Sequence, residues 1–189
     1  MSKNVKIHHS ATVSSKCRIG DGTIIWAYAQ LRENAIIGRN CVVGNGVYVD
    51  KNVKIGNNVV IQNKSLLYRN IVINDDVFIG PGVIFTNDKN PRSHMIRDLE
   101  SISWEVGKGA SIGASSTILP DINIGEYAMI GASSLVTRDI PKHALVFGSP
   151  AKVQGYVCYC GERLELMENE IGKTIKCIVC EKEININEP

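Results

Sequence analysis

Apolar residues recur along this chain at a fixed step of six. From Ile7 through Ile19, Leu31, Val43 and Ile61 to Phe85, fourteen successive positions are Ile, Val, Leu or Phe, and the series resumes at Val106 and runs to Val136. Four residues after each lies a small or β-branched partner, such as Ala11, Thr23, Ala35, Cys41 and Val53. A helix would place apolar residues 3.6 apart, so a helical core is excluded. Three residues after the aliphatic position come Gly22, Asn34, Asn40, Gly46, Asn52, Asn58, Asn70, Asp76 and Gly82, the residue types that tolerate left-handed backbone. Each hexapeptide therefore predicts a short strand and a corner, and three corners close a triangular coil of eighteen residues. Twenty hexads predict an all-β parallel β-helix of about seven coils, ~32 Å long at the usual strand spacing. Such a solenoid is stabilised by contacts between neighbouring coils and needs its open ends covered.

An eighteen-residue coil also predicts which outward residues stack. Ile24, Val42, Val60 and Phe78 form one apolar column, and Tyr48, Leu66 and Ile84 a second. Contiguous outward columns predict burial against other subunits, beside the alternative of ordinary strand propensity. The six-step is broken by NDKNPRSHMIRDLESISWE, Asn87 to Glu105, a Pro-bearing charged stretch that reads as a loop ejected from the prism. Excursions from a strict repeat tend to be functional. The expected division is a β-helix over 1–155 with its loop at 87–105, then a small cysteine-rich tail over 156–189.

Charge and composition narrow the classes. Lys plus Arg number 21 against 19 Asp plus Glu, a net +2, which gives no support to a nucleic-acid-coating protein. Hydrophobic content is 44% with only 2 Trp, 6 Tyr and 3 Phe, so the core must be aliphatic and narrow. No run approaches the roughly 18 apolar residues of a membrane span, and the start MSKNVKIHHS lacks a secretory apolar stretch. These readings predict a cytoplasmic protein with neither membrane nor nucleic acid as partner.

The hexads resemble the left-handed parallel β-helix of the hexapeptide-repeat acyltransferases over about residues 7–140. The loop segment FTNDKNPRS, Phe85 to Ser93, closely resembles the motif of acetyltransferases acting on nucleotide-linked 3-amino sugars. IGDGTIIWAYAQL, IGNNVVIQN, DDVFIGPGVIFTN, IGEYAMIGASSLVTRDIP and ALVFGSPAKVQGYVCYCG extend the likeness to Cys160. The resemblance implies a left-handed coil, a homotrimer with sites between neighbours, and acetyl-CoA as donor. It implies as acceptor UDP-2-acetamido-3-amino-2,3-dideoxy-glucuronate first and a dTDP-linked 3-amino-3,6-dideoxyhexose second, in surface polysaccharide biosynthesis.

Acetyl transfer needs an unprotonated nucleophile beside the thioester carbon and a route for one proton. The only histidines are His8, His9, His94 and His143, none at an obvious mid-prism position, which favours a self-activating amine over a hydroxyl. The resemblance makes Asn87 the residue that orients the amine. Asn90 and Arg92 are substrate candidates; the Arg fork suits carboxylate or phosphate, and a loop ion pair with Asp88 or Asp98 is its structural alternative. His94 is a further loop candidate, or a solvated loop residue. Gln62 and Asn63 interrupt the usual hexad opening and either contact the nucleotide sugar or form a side-chain ladder. For CoA, Gly113, Ala114, Gly131 and Ala132 would let pantetheine approach the backbone, although corner geometry explains the glycines equally. Gly148-Ser-Pro150-Ala151-Lys152 resembles the superfamily element flanking the CoA nucleotide, with Ser149 in place of the common Asn. Arg138 and Lys152 are the cations for its phosphates.

The tail carries Cys158-Tyr-Cys160 and Cys177-Ile-Val-Cys180. Two close thiol pairs suit a closed tetrathiolate zinc site, structural rather than catalytic, with free thiols or a redox pair as alternatives. Cys17 and Cys41 fall on inward positions and read as core. A γ-type carbonic anhydrase would need three coil histidines that are absent from the repeat. An O-acetyltransferase and a non-catalytic trimeric scaffold remain the other readings.

Overall fold

The computed structural model describes residues 4–95, 103–165 and 174–186. Among these there is no helix; the chain is a β-solenoid of about seven turns. Two-residue strands alternate with corners, and each strand pairs in parallel with the one eighteen residues on: Ile24 with Val42, Val60 with Phe78, Gln30 with Tyr48, Ile36 with Lys54. The strands collect into three sheets, the faces of a triangular prism. The first face begins at Lys6–Ile7, the second at Thr12–Val13 and the third at Arg18–Ile19.

Corner chemistry follows the expectation closely. All nine Gly, Asn and Asp corner residues named above have positive φ, from 54° at Asn40 to 75° at Gly22. Tyr28, Lys64, Ser115, Tyr127 and Ser133 adopt the same backbone at the same register, so the position imposes it even where the residue does not favour it. Corners are tied coil to coil by amide ladders: Asn40 donates to Asn58 at 3.4 Å, and Asn58 to Asp76 at 2.9 Å. The six-step residues fill the interior, with Ile61, Leu67, Ile79, Phe85, Val106 and Ile112 fully buried, and Cys41 is buried among them.

The repeat is interrupted once. Phe78 pairs with Ser111 and Phe85 with Ile118, steps of thirty-three rather than eighteen, so fifteen residues are extruded from one coil. The chain re-enters the third face at Trp104–Val106, which pairs with Ile71–Ile73. The strand thus claims Trp104 and Glu105, the last two residues of the expected 87–105 loop. Trp104 is 1% exposed and donates its indole N–H to the Leu119 carbonyl at 3.0 Å, because it stands in register with Ile71, at the inward partner position two residues before Val106.

Beyond Val136 the coil shortens: Ile130 pairs with Val146 and Ile124 bridges Ile140, steps of sixteen. Ala144–Gly148 closes the first face, and Ala151–Val157 folds back antiparallel upon it. Arg163–Leu164 extends the same sheet, so the expected boundary after residue 155 lies within a strand. Thr174–Lys176 and Glu183–Asn185 make a separate hairpin.

Candidate functional site

The register assigns each candidate to an edge of the prism. Residues following first-face strands form one edge: Trp26–Ala27, Gly44–Asn45, Gln62–Asn63, Gly80–Pro81, Gly113–Ala114 and Gly131–Ala132. Their amides link in sequence, Lys64 to the Asn45 carbonyl at 2.8 Å, Ser115 to Pro81 at 2.8 Å and Ser133 to Ala114 at 2.8 Å. The hairpin through Gly148, cis Ser149–Pro150 and Lys152 lies at the far end of this edge, where Lys152 pairs with Phe147. Gln62, Asn63, Ala114, Gly131, Ala132, Pro150, Ala151 and Lys152 therefore share one line along the molecule.

A cavity of about 400 Å³ opens near its start, lined by Trp26, Ala27, Gly44, Asn45, Gln62 and Asn63 among others. Trp26 is 49% exposed, a flat apolar surface beside three side-chain amides. Asn63 also accepts from the Asn45 amide at 2.8 Å, so the ladder role is real for that residue. At Gly113 an added Cβ would strike the Ala132 amide nitrogen, and at Gly131 it would lie 2.7 Å from Phe147 Cβ. Corner packing thus requires both glycines, whatever passes outside them.

Asn87 lies on a different edge, where second-face strands turn into the third. It is half-buried, and its side chain makes no hydrogen bond among the described residues. Lys89 ties the start of the excursion to Asp121 at 3.0 Å, and Asp88 accepts from the Asn90 amide at 2.8 Å. Asn90, Arg92 and His94 are exposed, and Arg92 donates to the neighbouring Pro91 carbonyl at 2.8 Å. Asp98, its other proposed partner, lies outside the described residues. Arg138 is exposed on the Asn87 edge, not on the edge carrying Lys152.

Sequence reasoning missed a polar network on the Asn87 edge. Asp50, 5% exposed, accepts from the Tyr48 hydroxyl at 3.1 Å and the Lys51 amide at 2.8 Å, and pairs with Arg69 Nε at 3.6 Å. Arg32 donates to the Tyr48 hydroxyl at 3.4 Å. Burial, reinforced by the Asp50 charge, raises the Tyr48 hydroxyl above its ordinary range, which keeps it a donor. Glu33, Lys51, Arg69 and Asn87 are eighteen apart, so the coil period alone would have placed Arg69 one coil from Asn87.

His94 belongs to the excursion beyond Asn87, and the other three histidines lie at the two ends of the prism. His8 stacks against His9 with ring centroids 4.2 Å apart, at the start of the first edge. His143 is buried at the opposite end, its Nδ1 3.0 Å from the Val157 carbonyl and its ring stacked on Tyr127. Burial lowers its pKa.

The four tail cysteines converge. Their sulfurs lie within 4.8 Å of one another, with Cys158–Cys180 at 3.3 Å and Cys160–Cys177 at 3.8 Å. Backbone amides of Cys180 and Val179 bring the Cys177 thiol down to about 7, whereas burial pushes Cys158 up to about 12. Four sulfurs with no carboxylate or imidazole among them are close enough to share one metal ion, and the set suits zinc.

Comparison with known proteins gives context to these edges. Residues 16–51 and 52–87 match the family model described as bacterial transferase hexapeptide, six repeats. A stretch of 65 residues is 52% identical to dTDP-3-amino-3,6-dideoxy-alpha-D-galactopyranose 3-N-acetyltransferase of Aneurinibacillus thermoaerophilus, covering 34% of each chain. Another, of 52 residues, is 48% identical to serine acetyltransferase 4 of Arabidopsis thaliana, covering 28% of this chain and 15% of that protein. Among solved structures, PerB from Caulobacter crescentus in complex with CoA and GDP-perosamine is 25% identical with a TM-score of 0.53, over 82% of this chain and 58% of that one. The matched regions thus span about a third of the first relative and less than two thirds of the structural neighbour.

Proposed function

We propose that this chain, whose residues 16–51 and 52–87 match the bacterial transferase hexapeptide model, moves acetyl from acetyl-CoA to the amino group of a nucleotide-linked amino sugar. The observation that carries the reading is the 52% identity over 65 residues to a dTDP-3-amino sugar 3-N-acetyltransferase. The CoA and GDP-perosamine bound to PerB support the same pairing of substrates. The 3-amino position of a 3-amino sugar is the acceptor. That relative supports the dTDP-linked acceptor; the FTNDKNPRS segment resembles both branches alike and does not single out the UDP-linked 3-amino glucuronate.

In this reading the first edge takes both ligands. Pantetheine runs past Ala114, Gly131 and Ala132 toward Pro150, Ala151 and Lys152, where Lys152 faces the phosphates of CoA. The acceptor's nucleotide occupies the cavity at Trp26, Gln62 and Asn63, its base on the indole face and its polar edge on the amides. Asn87 and Arg138 stand on a different edge of the same chain, so a neighbouring copy supplies them. The apolar columns at Val42, Val60 and Phe78 and at Tyr48, Leu66 and Ile84 flank the first edge, which makes a homotrimer the assembly of choice.

The chemistry needs no protein base. The neutral amine nitrogen attacks the thioester carbon, the C–N bond forms and the C–S bond breaks. The proton shed by nitrogen passes to the departing CoA sulfur. Asn87 orients the amine through its carboxamide, and Asn90, Arg92 and His94 hold the sugar. His94 is the one histidine this reading sets beside the sugar, so a hydroxyl acceptor would depend on it for activation, whereas a neutral amine would not.

The test is thiol release from acetyl-CoA with four acceptors: a dTDP-linked 3-amino hexose, the UDP-linked 3-amino glucuronate, a 4-amino nucleotide sugar and a hydroxyl analogue. Turnover confined to a 3-amino acceptor is the expected result and its nucleotide fixes the branch. Turnover on the hydroxyl analogue would replace the reading with O-acetylation, and absence of CoA binding would replace it with a scaffold.

A further inference from the structure

The end of the prism is closed by a piece too small to hold itself together. Among the described residues its strands are the hairpin Thr174–Lys176 with Glu183–Asn185 and the short Arg163–Leu164, and its buried aliphatic residues are Leu164, Ile184 and Ile186. A lone two-stranded hairpin is marginal in water, and units of this size need a staple. Yet the hairpin presents Cys177 against the cysteines that follow the strand Ala151–Val157.

We propose that Cys158, Cys160, Cys177 and Cys180 bind one Zn²⁺ as a closed tetrathiolate, and that this ion fastens the cap onto the last coil through Tyr159. The Cys160–Cys177 sulfur separation of 3.8 Å equals the roughly 3.8 Å edge of a tetrahedron with Zn–S bonds of about 2.3 Å; Cys158–Cys180 is shorter at 3.3 Å, and all four sulfurs lie within 4.8 Å of one another. Both loops are shaped for ligands. Gly161, at φ 88°, donates its amide to the Cys158 carbonyl at 2.9 Å; Glu181, at φ 58°, donates to the Cys177 carbonyl at 3.0 Å.

The short Cys-X-Cys spacing then has a purpose. Its middle residue, Tyr159, packs edge-on against both Tyr127 and His143 with ring centroids 4.7 Å apart, and Lys182 of the hairpin lies 5.5 Å over its face. Tyr127 and His143 are corner residues of the final coils. Two ligands flanking Tyr159 fix that ring from both sides, so metal binding clamps hairpin, strand and prism in one step. Alongside, the Val157 amide donates to the His143 carbonyl at 2.8 Å, a bond whose exchange reports whether the clamp is closed.

The experiment uses the full chain, purified untagged under reducing conditions. Elemental analysis should find one zinc per chain, and cobalt substitution should give the strong thiolate-to-cobalt absorption of a four-sulfur site. A chelator should lower Tm by several degrees and speed exchange of the Val157 amide on the order of tenfold. Cys160→Ser should lose the metal. Tyr159→Ala should keep one zinc per chain but lose most of the chelator-induced shift. Four freely reactive thiols in the presence of equimolar zinc would overturn the proposal, as would air-formed Cys158–Cys180 and Cys160–Cys177 disulfides with no metal bound. Zinc bound with no change in Tm or exchange on its removal would overturn the clamp. None of these readouts depends on acetyl transfer.

Discussion

Replacing Trp104 tests how the excursion is anchored. The indole enters a column on the third face whose earlier members are Cys17, Ala35, Val53 and Ile71, so it is the largest side chain in that column. It is 1% exposed, and its N–H reaches the Leu119 carbonyl at 3.0 Å. Truncating a buried aromatic to Ala typically costs about 3–5 kcal/mol, depending on how far the site collapses. Here the backbone on both sides is locked into parallel ladders, which prevents collapse and places Trp104→Ala in the upper half of that range. Trp104→Phe keeps most of the volume and loses the hydrogen bond, so its cost should be about 1–2 kcal/mol. Equilibrium guanidinium unfolding at fixed protein concentration, followed by far-UV circular dichroism, measures both. Turnover well below the melting range should fall in Trp104→Ala, because the loop that starts at Asn87 loses its far anchor. A Trp104→Ala variant within about 1 kcal/mol of the parent would refute the reasoning, since the column would then tolerate a void.

Four further outcomes are expected. Asn87→Ala should lower turnover about a hundredfold, the usual scale for losing one positioned amide, with Tm unchanged. Asn58→Ala should cost about 1–2 kcal/mol at its left-handed corner, while Asn58→Gly stays near the parent, read from denaturant midpoints. His143 is held below its ordinary pKa by burial, opposed by its Val157 hydrogen bond and the Glu126 charge and aided by Lys142. The unfolded chain therefore binds the extra proton first, so stability is full above about pH 6.5 and declines as pH falls below it; His143→Asn, which tolerates the positive φ, should flatten that decline in thermal melts at a series of pH values. Light scattering should return three times the 20.7 kDa chain mass, and a monomer at micromolar concentration would remove the intersubunit site.

The prism was legible because one backbone state recurs at every third position after an inward aliphatic. Asn52 and Gly82 announce that state by their chemistry; Tyr28 and Lys64 do not, and only the period finds them. The end of the prism was harder. After Val136 the step of six leads to Lys142 and Gly148, neither of which is inward, because the last coil is two residues short. The Asp50–Tyr48–Arg69 network escaped for another reason. The hexad frame sorts residues into inward and outward, whereas that network joins an outward strand residue, Tyr48, to the corner residues Asp50 and Arg69 of successive coils. The cysteine pairs were visible as spacing, but nothing in the spacing brings Cys177 to Cys160; the fold of the cap does. Nor does the sequence of one chain reveal that Asn87 and Lys152 stand on separate edges. That follows only from counting corners.

The eighteen-residue turn makes the molecule an index. A residue's number, taken modulo eighteen within the uninterrupted stretch to Phe85, names its edge: Trp26, Gly44, Gln62 and Gly80 share one remainder, and Glu33, Lys51, Arg69 and Asn87 another. Removing one whole turn, such as residues 37–54, would shorten the rod by about 4.8 Å and leave every later residue on its edge. Removing a single hexapeptide would instead rotate everything downstream by one face and carry Asn87 to the wrong side of the molecule. Length in this protein is therefore quantised. Insertions that keep its chemistry in phase come as full turns, or, like the fifteen residues before Trp104, as loops that never enter the count.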